Sequence, residues 1–254
     1  MLSSFGLALS FLTIFRVPLL PSRLASPTEL AASFAFFPVV GALLGGIWVL
    51  LATALRPLLP PGVIAVLLTL VLAVLTRGLH LDGLADLADG AGGGYTPQRR
   101  LEIMKDSRIG TFGAVALILI LTLKIAALYS LVQTVQWQAL LLTPMLSRLA
   151  IVMGAYRSIY PRPEGGLGKS FCEQLSFRHA AGALLLTLAG MAVSAPFLGG
   201  ILLLSVLACV GLLRFCSQRW LGGITGDVLG ALNEISEAVL LTVAAAVTSN
   251  LPGN

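Results

Sequence analysis

From residue 30 to residue 55 the chain carries no charged side chain, and from 57 to 76 it again carries none. A helix needs about 20 apolar residues to cross the ~30 Å hydrocarbon core of a bilayer. Both runs satisfy that length. Composition extends the reading to the whole chain. Of its 254 residues, 57% are hydrophobic and only 11% are charged. Mean hydropathy is +0.96. A soluble domain carries about 25% charged residues. The sequence therefore predicts an all-α, polytopic membrane helix bundle. No polar linker divides it, so residues 1–254 are expected to form a single integral membrane domain.

The spans follow from the apolar runs. Residues 2–20 are apolar but broken by Arg16 and Pro18, and predict an interfacial or half-inserted helix, with a full span as the alternative. Neither a basic leader nor a small-residue cleavage site precedes this segment, so it is not read as a signal peptide. Ser26-Pro27-Thr28-Glu29 predicts a helix start, with Pro early and Glu in the first turn. The run 30–55 follows, with Gly41, Gly45 and Gly46 expected to form a small-residue packing face. Further spans are predicted at about 63–80, 113–132, 137–156, 180–197, 199–213 and 234–249, giving about seven transmembrane helices.

Charge fixes the expected orientation. The net charge of +5 rests on 13 Arg and 3 Lys. Most of these lie in three polar loops, at 91–112, 157–179 and 214–230, each separated from the next by two spans. All three should lie on one side. The opposite loops hold only Arg56. The positive-inside rule puts the basic loops in the cytoplasm, beside anionic lipid. There is no nucleic-acid motif. Cys172, Cys209 and Cys216 have no metal-ligand spacing and are read as free thiols.

The chemistry concentrates where the second span ends. The chain has five Asp, and three of them, Asp82, Asp86 and Asp89, stand within eight residues. On a helix these positions fall within ~60° of one another. Like charges at i, i+4 repel, and an Asp near the membrane is costly. A cation relieves both penalties. Mg²⁺, which takes a few carboxylates together with phosphate oxygens, is the expected ion. The plain alternative is a solvated acidic helix end.

A second cluster runs from Gly222 to Glu237 on the same expected face. Asp227 and Glu234, seven apart, share a stripe and are candidate metal ligands. The Gly-rich approach at Gly226 would let backbone N–H groups reach a phosphate. Read plainly, Asp227 is an N-cap, and Glu234 and Glu237 form a solvated turn. A third piece, residues 101–113, carries Lys105 and Arg108, candidate catalytic and substrate-binding cations for phosphate oxygens. Their plain alternative is a basic juxtamembrane loop. His80 could act as a general base, a hydrogen-bond donor or a metal ligand, or be structural. Asn233 is a candidate phosphate or metal contact. Arg148 lies inside a span, where an Arg usually faces the bundle interior or a cavity, and is a candidate substrate contact. Glu164-Gly165-Gly166-Leu167-Gly168-Lys169 lacks the spacing and the preceding strand of a phosphate loop.

Together these pieces resemble the cobalamin synthase (adenosylcobinamide-GDP ribazoletransferase) family. The likeness is carried by His80-Leu81-Asp82-Gly83-Leu84-Ala85-Asp86, Ala88-Asp89-Gly90, Ile103 to Gly113 and Thr225 to Ala231, in order over nearly the full length. It implies a Mg²⁺-dependent enzyme of the bacterial inner membrane with its active site facing the cytoplasm. Such an enzyme joins adenosylcobinamide-GDP to α-ribazole or α-ribazole 5′-phosphate and releases GMP. Asp82 or Asp86 would take the proton of the attacking hydroxyl. Two other classes are weighed against it. An intramembrane prenyltransferase would carry N-D-x-x-D, which is absent here. A cation- or proton-coupled transporter would place its acids near the bilayer midplane rather than at span ends. Oligomeric state is left open, a homo-oligomer included.

Overall fold

A computed structural model describes residues 2–16 and 26–249, and every regular element among them is helical. The first helix, α1 (Leu2–Leu12), has 11 residues. At 1.5 Å per residue it is about 16 Å long, half of what a crossing needs. Pro18, expected to break this segment, lies outside the described residues.

Helix α2 (Pro27–Ser33) opens as its sequence predicts. Ser26 Oγ accepts the Glu29 N–H at 3.2 Å, and Glu29 Oε2 accepts the Ser26 N–H at 2.8 Å. This reciprocal box satisfies two donors that a helix start otherwise leaves free. A short 3₁₀ turn, Phe34–Phe36, carries the chain into α3 (Phe37–Leu55), and together they make a 29-residue span.

The next span departs from expectation. Instead of one helix over 63–80, α4 (Pro61–Leu75) stops and α5 (Leu79–Gly93) leaves at 90° to it. The corner is made by two successive left-handed residues, Arg77 at φ 55° and Gly78 at φ 65°. Gly adopts that conformation freely, whereas a residue with a Cβ loses about 1–2 kcal/mol. Contacts from α1 and the residues after it hold the corner. Arg77 Nη2 donates to the Phe11 carbonyl at 3.2 Å, and the Ile14 N–H donates to the Leu75 carbonyl at 2.8 Å. The acidic motif thus has a helix of its own.

The remaining elements are α6 (Pro97–Ile103), α7 (Thr111–Gln133), α8 (Trp137–Ala155), α9 (Leu167–Gln174), α10 (Phe177–Ser194), α11 (Pro196–Leu221) and α12 (Gly226–Ser249). Among the described residues, six helices are long and apolar enough to cross a membrane, and the bent α4–α5 pair makes a seventh candidate. The third polar loop is shorter than expected. Because α11 runs on to Leu221 and α12 already begins at Gly226, Asp227 belongs to the first turn of the last span.

Helices α8 and α12 form the centre: 83% and 72% of their spanning stretches are buried, against 22% for α10 and α11. The apolar outer faces of α10 and α11 are what a helix turns toward lipid. Helix α3 packs on α8 through Gly41 and Gly45, where a Cβ would overlap the backbone of Pro144 and Leu141. Gly46, expected on the same face, has nothing within 4 Å of its Cβ direction and lies off the seam.

The three polar connections meet at one end. Lys105 pairs with Glu164, joining the first to the second. Arg100 Nη1 donates to the Trp220 carbonyl at 3.1 Å. The Ile224 N–H donates to the Ile159 carbonyl at 2.8 Å. This convergence agrees with the common side deduced from span parity. The three cysteines are free thiols.

Candidate functional site

Glycines bring the two acidic segments together. A Cβ on Gly83 would stand 2.7 Å from the Asp227 carbonyl oxygen and 3.0 Å from its Cα. One on Gly230 would stand 3.3 Å from the Cα of His80. Helix α5 therefore lies directly on the start of α12, backbone to backbone. Asp82 and Asp86, one residue before and three after Gly83, are carried to the side of Asp227. The carboxylates of Asp82 and Asp227 are both close enough to Asp86 to repel its charge, and Arg162 is the nearby cation.

Asp227 is held in place. Its Oδ2 accepts from Arg162 Nη2 at 2.9 Å and from Thr225 Oγ1 at 3.3 Å. The Val228 N–H donates to Thr225 Oγ1 at 3.3 Å, so Thr225 caps the helix on which Asp227 sits. Three carboxyl groups thus share one guanidinium, an excess of acid over base. Among the described residues, no three His, Cys, Asp or Glu side chains form a metal-holding group as they stand.

Asp82, Asp227, Arg162 and His80 line a cavity of 280 Å³. Backbone from Gly166, Gly168 and Gly226 forms part of its wall, and Phe11, Phe34, Phe37 and Phe171, whose rings touch one another, form another part. Two buried polar atoms of its lining residues, His80 Nδ1 and Arg162 Nε, have no hydrogen-bond partner. Burial raises the phenol of Tyr160, another lining residue, above its ordinary pKa. On the other side of Asp82, a groove of 560 Å³ is lined by Asp82, Asp86, Ser107 and Ile109. Asp82 thus stands between the two spaces.

The other expected site residues lie elsewhere. Asp89 is buried and accepts the N–H of Gly110 at 2.7 Å and of Gly113 at 2.8 Å, one on each carboxylate oxygen. It fastens the start of α7 to α5. Glu234 belongs to a buried ion cluster. Lys124 Nζ donates to Glu234 Oε2 at 2.9 Å and to Glu237 Oε2 at 2.5 Å, and Arg148 pairs with Glu237. Asn233 Nδ2 donates to Glu234 Oε1 at 3.2 Å, while its Oδ1 is buried without a partner. Arg148 is fully buried among these groups and does not line the cavity. Glu237, read from sequence as part of a solvated turn, is fully buried too. Lys105 is taken by Glu164. Arg108 is exposed and forks onto Asp106, whose carboxyl those hydrogen bonds draw down to about 2. Ser107 and Ile109 of the same loop line the groove, so the loop flanks Asp82 and Asp86 even though its cations point to other partners.

Several of these residues escaped the sequence reading. Arg162 counted only as one charge in a basic loop, although its position between Pro161 and Pro163 marked a stiff, specified backbone. Gly166 and Gly168 were set aside with the phosphate-loop comparison. Lys124 is the one charge in the apolar run of α7, a signal that by itself calls for a buried partner.

Comparison with known proteins finds relatives along nearly the whole chain. A family model for cobalamin-5-phosphate synthase matches residues 4–245. An adenosylcobinamide-GDP ribazoletransferase of Syntrophobacter fumaroxidans is 53% identical over 245 residues, 96% of this chain and 99% of that protein. Proteins of the same name from Roseiflexus sp. and Chlorobaculum tepidum are 42% and 41% identical, covering 93% and 94% of this chain and 87% and 94% of their own lengths. No solved structure matches the chain. With the family model spanning α1 to α12 and relatives aligned almost end to end, the chain belongs to the cobalamin-5-phosphate synthase family, membrane-embedded transferases of cobalamin biosynthesis.

Proposed function

We propose that this chain joins adenosylcobinamide-GDP to α-ribazole, or to its 5′-phosphate, and releases GMP, with Mg²⁺ as cofactor and with the reaction at the α5–α12 junction. The observation that supports this most is the docking of Gly83 on Asp227, which brings Asp82 and Asp227 to Asp86 beside Arg162. In the reaction a ribose hydroxyl oxygen bonds to the cobinamide-side phosphorus, the P–O–P anhydride breaks, and GMP leaves with the bridging oxygen.

The donor set suits Mg²⁺: hard carboxylate oxygens in excess over the one guanidinium, on helices whose backbones touch. Asp82, Asp86 and Asp227 would hold it, drawn in by rotation about their side-chain torsions. Held by these carboxylates, the ion would supply positive charge to offset that of the pyrophosphate and of the departing GMP. Asp82 or Asp86 accepts the hydroxyl proton. Arg162 steadies Asp227 and faces phosphate oxygens with a fork of donors. The start of α12 at Gly226 presents backbone N–H groups to an anion. Asp89 and Glu234 support the site from behind, as a helix clamp and as part of the buried ion cluster. By the positive-inside rule this end faces the cytoplasm of the inner membrane.

Detergent-purified protein given Mg²⁺, adenosylcobinamide-GDP and α-ribazole 5′-phosphate should release GMP and form the cobalamin 5′-phosphate in equal amounts. Absence of GMP under these conditions would overturn the proposal.

A further inference from the structure

One end of the cavity, as we name the wall formed by its four phenylalanines, takes no part in carboxylate chemistry and is built from three separate segments. Phe11 comes from α1, Phe34 and Phe37 from the junction of α2 with α3, and Phe171 from α9. The rings close on one another. Phe34 stacks on Phe37 at 4.1 Å between centroids and tilts against Phe171 at 4.6 Å. Phe11 meets Phe171 edge-on at 5.3 Å and stacks on Phe37 at 5.9 Å.

We infer that this end is the seat of the acceptor's base: the benzimidazole of α-ribazole lies against these phenylalanines while its ribose reaches toward Asp82 and Asp227. The inference rests on the transfer reaction proposed above.

Size selects among the reaction's parts. Ligand cavities run from roughly 300 to 1,000 Å³, and this one measures 280 Å³. It suits a nucleoside. A corrin macrocycle with its amide side chains is too large, so the cobinamide stays outside.

Chemistry then selects between the two nucleosides present. Guanine carries donors and acceptors along its edge, and burying them without partners is costly. The four phenylalanines, with Leu12 and Ile151 in the same lining, offer no side-chain hydrogen bond to a base lying against them. Benzimidazole presents a carbon edge and one unprotonated ring nitrogen. Offset and edge-on contacts with phenyl rings suit such a plane. The same cavity is lined by Asp82 and Asp227, the groups an acceptor hydroxyl needs.

The test is a direct binding titration on the full chain in detergent, with α-ribazole alone and then with adenosylcobinamide-GDP alone. Phe37→Leu and Phe171→Leu remove a ring but keep an apolar side chain, and their melting temperatures identify any variant that has failed to fold. Each folded variant should bind α-ribazole at least tenfold more weakly, with adenosylcobinamide-GDP binding unchanged. Guanosine should not compete for the α-ribazole site. Unchanged α-ribazole binding in both variants, or a loss confined to adenosylcobinamide-GDP, would overturn the assignment. A wild-type chain that binds α-ribazole through these rings yet releases no GMP would remove the proposed reaction and leave the aromatic pocket standing.

Discussion

The backbone of Asp227 occupies the space that a side chain at position 83 would fill, with its carbonyl oxygen 2.7 Å from where the Cβ of residue 83 would be. Helix α5 can approach α12 only because that side chain is missing. Gly83→Val should therefore force the helices apart. Overpacking of this kind costs about 1–3 kcal/mol, and the larger effect should be on catalysis, since the acids separate. GMP release should fall well below that of Gly46→Ala, whose Cβ meets open space. Equal activity in the two variants would mean that the close approach is not needed.

Asp89 is expected to matter for folding more than for chemistry. Asp89→Asn keeps one acceptor oxygen and turns the other into a donor facing an N–H. Leaving such a group unsatisfied costs about 1–3 kcal/mol. The melting temperature should drop and hydrogen exchange at the Gly110 and Gly113 amides should speed up. The surviving folded protein should keep more activity than Asp227→Asn does. A fully stable but inactive Asp89→Asn would put Asp89 back among the ligands.

Arg148 offers a similar separation of roles. It is buried against Glu237, which also holds Lys124. Removing one partner of a buried ion pair leaves a charge without compensation and costs about 3–5 kcal/mol. Arg148→Met should lower the melting temperature sharply, and KM for both substrates should hold in whatever protein remains folded. A stable variant with a raised KM would instead make Arg148 a substrate contact.

These assignments mark what the amino-acid sequence made legible. Asp82, Asp86 and Asp227 could be grouped in advance because helical spacing set the first two on one face, and span parity set Asp227 on the same side. The right-angle corner at Arg77–Gly78 could not, since a charge and a Gly at the end of an apolar run fit a plain span end equally well, and an Arg at positive φ leaves no mark in a sequence. The ion cluster was half visible. Lys124 and Arg148 were each conspicuous in apolar surroundings, but their pairing with Glu234 and Glu237 depends on how three helices pack. The aromatic end of the cavity was not visible at all, because its rings come from segments far apart in the chain and no local pattern links them.

The central claim is that Asp227 and the α5 acids serve one reaction, and the most direct measurement is Mg²⁺-dependent GMP release by Asp82→Asn, Asp86→Asn and Asp227→Asn beside the wild type. Asn keeps the shape and loses the charge. Each substitution should reduce turnover by at least about 10²-fold, the scale on which charge stabilisation of a transition state acts. The melting temperature of the Asp86 variant should hold or rise, because its carboxylate is repelled by both neighbours. Wild-type levels of GMP from Asp227→Asn, with Asp82→Asn inactive, would contradict the shared site and reduce Asp227 to a first-turn acid paired with Arg162.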